Sequence, residues 1–313
     1  MTLRQLAMLL ALAALWGASF LFMRVAVPAL GPIVLADARV AIAGAALFAY
    51  AAAIGARPAL RERWRDYLLL GTINAALPFS LLAAAQLEVE ASLAAVLNAM
   101  APLCGALVAA VWLGHRITHA AKAGLVLGVT GVALVVGLSP FTLDLPFILA
   151  VLACLGAAFA YGIGANLVRV RFAGEPPLSI AIGQQLAAAI VLLPLLPVMP
   201  LRGTPDAVDL ACLIALALGS TGIAYLLYFR LLAELGATSG MTVIFVVPVF
   251  GVLWGALFLD EAIHLSTVLG GAVILLSVWL ITRSPGSSGA ELASTRRQPA
   301  ERSSGRVATT EAE

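Results

Sequence analysis

Residues 91–114 read ASLAAVLNAMAPLCGALVAAVWLG, and residues 237–259 read ATSGMTVIFVVPVFGVLWGALFL. Each exceeds the roughly 18 apolar residues that mark a candidate membrane span, and neither contains Asp, Glu, Lys or Arg. Each carries one proline, Pro102 or Pro248, at the same distance from its start. At an offset of 146 residues Ala91-Ser92 falls on Ala237-Thr238 and Gly105 on Gly251. Working outward, Glu88 falls on Glu234 and Gly124 on Gly270. At an offset of 145, Trp16-Gly17 through Arg24-Val25 falls on Tyr161-Gly162 through Arg169-Val170. Alanine- and leucine-rich sequence gives chance matches, but aromatic, Arg, Glu and Pro positions do not easily fall into one register that way. The chain therefore reads as two repeats, residues 6–138 and 146–283.

Cutting the chain at every Asp, Glu, Lys and Arg leaves ten long charge-free runs: 5–23, 40–56, 67–87, 91–114, 123–143, 145–168, 176–201, 210–229, 235–259 and 262–282. The second is the shortest and is expected to begin earlier, near Ile33, with Arg39 inside it. Overall 62% of residues are hydrophobic and 11% charged, a surface that water does not solvate but lipid does. A membrane barrel needs segments of about ten residues with strict alternation, and that pattern is absent. The predicted fold is an all-α integral membrane protein with ten transmembrane helices. Five spans per repeat is an odd number, so the second repeat enters the membrane from the opposite side. Inverted repeats are a recurrent architecture of secondary transporters, with substrate held near the midplane between them.

Arginines set the orientation, because positive charge in short loops stays cytoplasmic. With the N-terminus inside, that side carries Arg4, Arg57, Arg61, Arg63, Arg65, Arg116, Lys122, Arg169, Arg171, Arg230 and Arg283. The opposite loops carry Arg202, while Arg24 and Arg39 lie near or within helices. The expectation is a multi-pass protein of the cell inner membrane with both termini cytoplasmic. An uncleaved first helix is expected in place of a signal peptide, since nine further spans follow. Residues 284–313 are rich in Ser, Gly, Arg and Glu and read as a disordered cytoplasmic tail.

Polar groups inside such runs are costly and usually face a bundle interior or a cavity. The candidate substrate-binding residues are Trp16, Arg39, Asn74, Asn98, Tyr161, Gln184, Tyr225 and Thr242. Each could instead make an interhelical hydrogen bond with no ligand involved. Arg24 could snorkel to headgroups. Arg39 could pair with Asp37, although residues two apart do not share a helix face. Pro102 and Pro248 are candidate helix kinks that free the carbonyls of Asn98 and Ile244. Gly251-x-x-x-Gly255 and Gly124-x-x-x-Gly128 permit close helix approach, expected within the bundle.

LWGASFLFMRV at 15–25, the 91–114 stretch and ATSGMTVIFVVPVFGVLWGALFLDEAI at 237–263 together resemble the EamA family of the drug/metabolite transporter superfamily. The resemblance covers residues 6–283. It implies a secondary transporter, an exporter of small metabolites such as amino acids or related compounds, working by alternating access. In the first repeat His115 aligns with Glu261, where the family usually has Glu.

Other functions meet direct obstacles in the sequence. A P-loop closes with Gly-Lys-Ser or Gly-Lys-Thr, but the only lysine, Lys122, follows Ala121. An intramembrane enzyme needs a nucleophile with its base, or a metal cluster, and neither stands out. A passive channel remains an alternative. Cys104, Cys154 and Cys212 sit singly in apolar runs and suggest neither disulfides nor metal ligation. No catalytic residue, cofactor or metal is expected. The expected partners are a small-molecule substrate and the lipid bilayer, with no nucleic acid. The oligomeric state is not readable.

Overall fold

Helix boundaries follow from capping chemistry at the ends of the apolar runs. In the computed structural model, which describes residues 2–114, 118–138, 142–235 and 237–282 without the side chains of 235–242, Thr2 accepts from the Gln5 N–H at 3.3 Å. Thr118 accepts from Ala121 at 3.1 Å and Asp144 from Phe147 at 3.0 Å. Asp206 accepts from Val208 and Asp209, and the Asp209 carboxylate accepts in return from the Asp206 N–H. Each side chain satisfies N–H groups that the first helical turn leaves without partners. The helices that result are α1 Leu3–Leu30, α2 Pro32–Ala53, α3 Trp64–Ala85, α4 Ala91–Trp112, α5 His119–Gly137, α6 Leu145–Arg171, α7 Pro177–Leu195, α8 Ala207–Glu234, α9 Ala237–Phe258 and α10 Leu265–Thr282.

Among the described residues nine of these are long and apolar enough to cross a membrane, and Val243–Phe258 of α9 adds a shorter apolar helix. At 28 residues, α1 is roughly 42 Å long, more than the ~30 Å hydrocarbon layer, so it tilts or protrudes. It outruns the expected 5–23 because Arg24 stays within the helix, its guanidinium donating to the Gln86 carbonyl. A cut at every charge ends a span too early where the charge finds a partner. α7 stops short of the expected 201, since Pro194, Pro197 and Pro200 cannot continue a helical ladder. α2 begins at Pro32 with Arg39 inside it. Gly31, at φ +75°, makes the reversal between α1 and α2 that a side chain would resist.

Packing follows the repeat. α1 lies on α9 and α8, while α6, its counterpart, lies on α4 and α3; α2 pairs with α7, and α5 with α10. Two close backbone approaches use matched glycines. A Cβ on Gly17 would stand 2.6 Å from the Phe250 Cβ and 2.9 Å from the Gly251 nitrogen, and one on Gly162 would stand 2.6 Å from the Gly105 nitrogen. Exchanging the two repeats maps one contact onto the other. The other small-residue motifs also pack inside the bundle: Gly124 faces Ile281 and Ser277, and Gly251 faces Ala95. Only 22% of the α5 window is buried, against 50% in α3, α6 and α7, and its exposed Val126 and Val129 give lipid the apolar surface it solvates.

The hydrogen-bond ladder differs between the two proline helices. α4 loses its regular helix after Asn98, turns through Ala99 and Met100 with tighter bonds to Val96 and Leu97, and resumes at Ala101. α9 runs through Pro248 without interruption. The irregularity common to the two repeats lies elsewhere. Thr72–Ala76 of α3 and Ala215–Ile223 of α8 are π-helical, and at the repeat offset they coincide. In α3 the cause is legible, because Pro78 lacks the N–H that would bond the Asn74 carbonyl. In α8 there is no proline, and Thr221 Oγ1 donates to the Leu216 carbonyl at 3.0 Å.

Candidate functional site

A cavity of about 780 Å³ opens between the repeats. Trp16, Arg39, Asn74, Asn98, Tyr161, Gln184 and Tyr225 all line it, together with Pro102 and Pro248. Thr242 lies in α9, but its side chain falls outside the described residues. Asn98 and Ile244, whose carbonyls the prolines free, also reach the wall. The cavity extends to Thr118, Arg169 and Thr282 at one end of the bundle.

The second helix of each repeat crosses to the π segment of the other repeat's third helix. Arg39 on α2 donates through Nε to Thr221 Oγ1 on α8 at 2.9 Å. Asn74 on α3 donates through Nδ2 to Gln184 Oε1 on α7 at 2.9 Å, and Gln184 Nε2 donates to the Tyr225 hydroxyl at 2.7 Å. Arg39 and Gln184 stand at the repeat offset of 145. π-helical turns widen the backbone and turn side chains out of register, a feature frequent at functional sites. Here they aim Asn74 and Thr221 at the partner repeat. A double-mutant cycle of Asn74→Ala and Gln184→Leu is expected to give a coupling of about 0.6 to 1.7 kcal/mol, the range of interhelical hydrogen bonds in membrane proteins. Unfolding in detergent measures it, and strict additivity would break the link.

Aromatic rings form a second wall. Trp16 lies 5.5 Å from Tyr228 between ring centroids, and Tyr225 and Tyr228 both pack on Phe229. Phe79 lies under Arg39, with the guanidinium carbon 3.7 Å from the ring centroid. Asn98 Oδ1 is buried without a hydrogen-bond partner. Sequence reasoning missed Phe79 and Met23, because an apolar side chain in an apolar run carries no signal, and missed Thr221 for want of the π turn that presents it. Arg39 does not contact Asp37: among the described residues no carboxylate lies within 4.0 Å of it.

The far end of the bundle is held together by side-chain bonds beside a second cavity of about 520 Å³ lined by Arg24, Glu90, Asp260 and Glu261. Glu261 accepts from the backbone N–H groups of Ala91 at 2.7 Å and Ser92 at 3.0 Å, pinning the segment after α9 to the start of α4. Gly255 leaves room for this carboxylate, since a Cβ there would collide with Glu261 Oε2. Gln86, fully buried, donates to the Phe20 carbonyl at 2.9 Å while its own carbonyl holds Arg24. Burial, and then the charge of Glu261, push the neighbouring Glu90 carboxyl above the usual carboxylate range. His115, the repeat counterpart of Glu261, lies outside the described residues.

The profile of the EamA-like transporter family matches residues 3–137 and 148–283, once per repeat. An "Uncharacterized transporter" of Archaeoglobus fulgidus is 25% identical over 273 residues, 86% of this chain and 95% of that protein. A "Probable terminal-alkyne amino-acid exporter" of Streptantibioticus cattleyicolor is 29% identical over 276 residues, 86% of this chain and 90% of that one. A solved crystal structure superposes with a TM-score of 0.64 at 20% identity, over 96% of this chain and all of the other, a likeness of fold alone. With a profile match in each half and, among the described residues, ten helices packed as two repeats around a cavity, the chain belongs to the EamA-like transporter family of multi-pass membrane proteins.

Proposed function

We propose that this protein is a secondary transporter that exports small metabolites, amino acids or related compounds among them, across the cell inner membrane by alternating access. The observation that carries the reading is the cavity between the repeats, lined mainly by apolar side chains with polar and aromatic groups among them, reaching Thr118, Arg169 and Thr282 at one end of the bundle while Glu261 bonds hold the other. Alternating access needs such a one-sided cavity and two halves able to move against each other. Residues 6–138 and 146–283 are those halves. The open end is the arginine-rich one, with Arg57, Arg61, Arg63, Arg65, Arg169, Arg171 and Arg230 in or beside its loops, which makes it cytoplasmic and this arrangement inward-facing. The start of α1 and the end of α10 then face the cytoplasm, and the expected 284–313 tail lies outside the described residues. Export of amino acids is supported by the name of the Streptantibioticus relative. A carrier needs no catalytic residue and no cofactor.

The test is counterflow. Proteoliposomes loaded with unlabelled amino acids are expected to accumulate labelled amino acid against its gradient, which a channel cannot do. Asn98→Ala and Trp16→Ala are expected to slow that exchange about tenfold, the loss of one or two substrate contacts, with melting temperature in detergent near the parent. Loss of stability in parallel would make these packing residues instead. For orientation, in a cysteine-free background, cysteine at Gly55 is expected to resist an impermeant thiol reagent in intact cells, while cysteine at Asp144 reacts. Labelling of both from outside would overturn it.

A further inference from the structure

Arg39 carries a full charge on the eighth residue of α2, about 10 Å along the helix from Pro32, yet it is only 5% exposed. A cation this deep in a membrane protein is costly, and such residues pair with an anion or mark a ligand path. Among the described residues no carboxylate lies within 4.0 Å of it. Nε is engaged by the Thr221 hydroxyl at 2.9 Å, which itself donates onward to Leu216. One face of the guanidinium lies on Phe79. Nη1 reaches only the Met23 sulfur, a weak acceptor, at 3.7 Å. Among the described residues nothing accepts from Nη2, and the side chain lines the cavity. Thr221 and Phe79 thus fix the plane of the fork while its outer edge stays unclaimed. A guanidinium fork matches a carboxylate geometrically, donating two parallel N–H bonds. Arg169, the other charge on the cavity wall, is exposed and lies at the mouth, not at the depth of the polar residues.

We infer that Arg39 receives the carboxylate of the transported solute, so that the exported class is defined by an acid group and not by an amine alone. The inference rests on the exporter reading above and names its substrate class. Desolvation of the solute carboxylate on entering the cavity is offset by the waiting guanidinium, and the buried charge of Arg39 gains its counter-ion only when substrate is bound. A solute without the acid leaves that charge unpaired and is disfavoured.

Proteoliposomes preloaded with a mixture of the standard amino acids and the corresponding amino-acid amides test this. Efflux of each is followed by mass spectrometry, and the efflux from protein-free liposomes is subtracted. The expected result is protein-dependent efflux of a subset of the acids, with their amides at least tenfold slower. Arg39→Gln is expected to abolish that discrimination by slowing the acids at least tenfold, while Arg39→Lys, which keeps the charge but not the fork, retains part of it. Acids and amides leaving the parent protein equally fast would overturn the carboxylate assignment and leave the exporter reading standing. Efflux of neither class would overturn the amino-acid exporter reading and this assignment with it. The comparison of acids with amides uses the parent protein alone, so it decides even if Arg39→Gln does not fold.

Discussion

Gly162→Ala is expected to lower the stability of the protein by about 3 kcal/mol, the upper end of overpacking costs, and Gly162→Leu to abolish accumulation of folded protein. The added carbon has nowhere to go. An ideal Cβ on Gly162 lies 2.6 Å from the Gly105 nitrogen and 2.8 Å from the Cys104 carbonyl carbon, backbone atoms of α4 that cannot rotate away. Gly17 meets α9 in the same way through Phe250 and Gly251, so Gly17→Ala should cost a similar amount. The contrast that makes this a strict test is Gly105→Ala. Seen from the α4 side, the nearest atom to a new Cβ is the Gly162 Cα at 3.6 Å, ordinary van der Waals contact, so that substitution should be nearly neutral. Melting in detergent and monodispersity on gel filtration measure all four. Equal losses at Gly105 and Gly162 would mean that α4 and α6 are not as close as described here.

These glycines also mark how far the sequence could be read. The register that set Trp16-Gly17 on Tyr161-Gly162 and Gly105 on Gly251 already contained both close approaches, though not which glycine faces which backbone. Span count and repeat order follow from hydropathy because lipid admits so few alternatives. Where polar residues converge was harder. Asn74 and Gln184 are 110 residues apart, and the bond between them depends on a π turn whose signal in α3 is the single Pro78 and whose counterpart in α8 has no proline. Pro102 and Pro248 occupy matched places, yet one interrupts its helix and the other does not, because a freed carbonyl is accommodated by its tertiary surroundings and not by the proline alone.

Glu261→Gln is expected to loosen the closed end of the cavity and expose its interior from that side. The Glu261 carboxylate accepts from two N–H groups at the start of α4, where the helix dipole also favours negative charge. Hydrogen bonds to a charged group contribute about 1.5–3 kcal/mol each, so neutralising this one removes enough free energy to move a two-state equilibrium by tenfold or more. At the opposite end the repeat counterpart of this glutamate is His115, outside the described residues, and there the repeats are joined instead by Arg63 to Glu175 at 3.0 Å and Arg171 to Asp66 at 2.7 Å. The measurement is labelling of a single cysteine at Asn98 by an impermeant reagent applied from the side of Asp144. The parent arrangement protects that position, and the Glu261→Gln background should raise its labelling rate about tenfold. Glu90→Gln is the control. Its side chain contacts the Ser92 hydroxyl at 3.4 Å and His264 at 3.8 Å, so the substitution leaves the Glu261 bonds to Ala91 and Ser92 in place and should leave Asn98 protected. Exposure of Asn98 in the Glu90→Gln protein and not in the Glu261→Gln protein would assign the closure to the wrong glutamate.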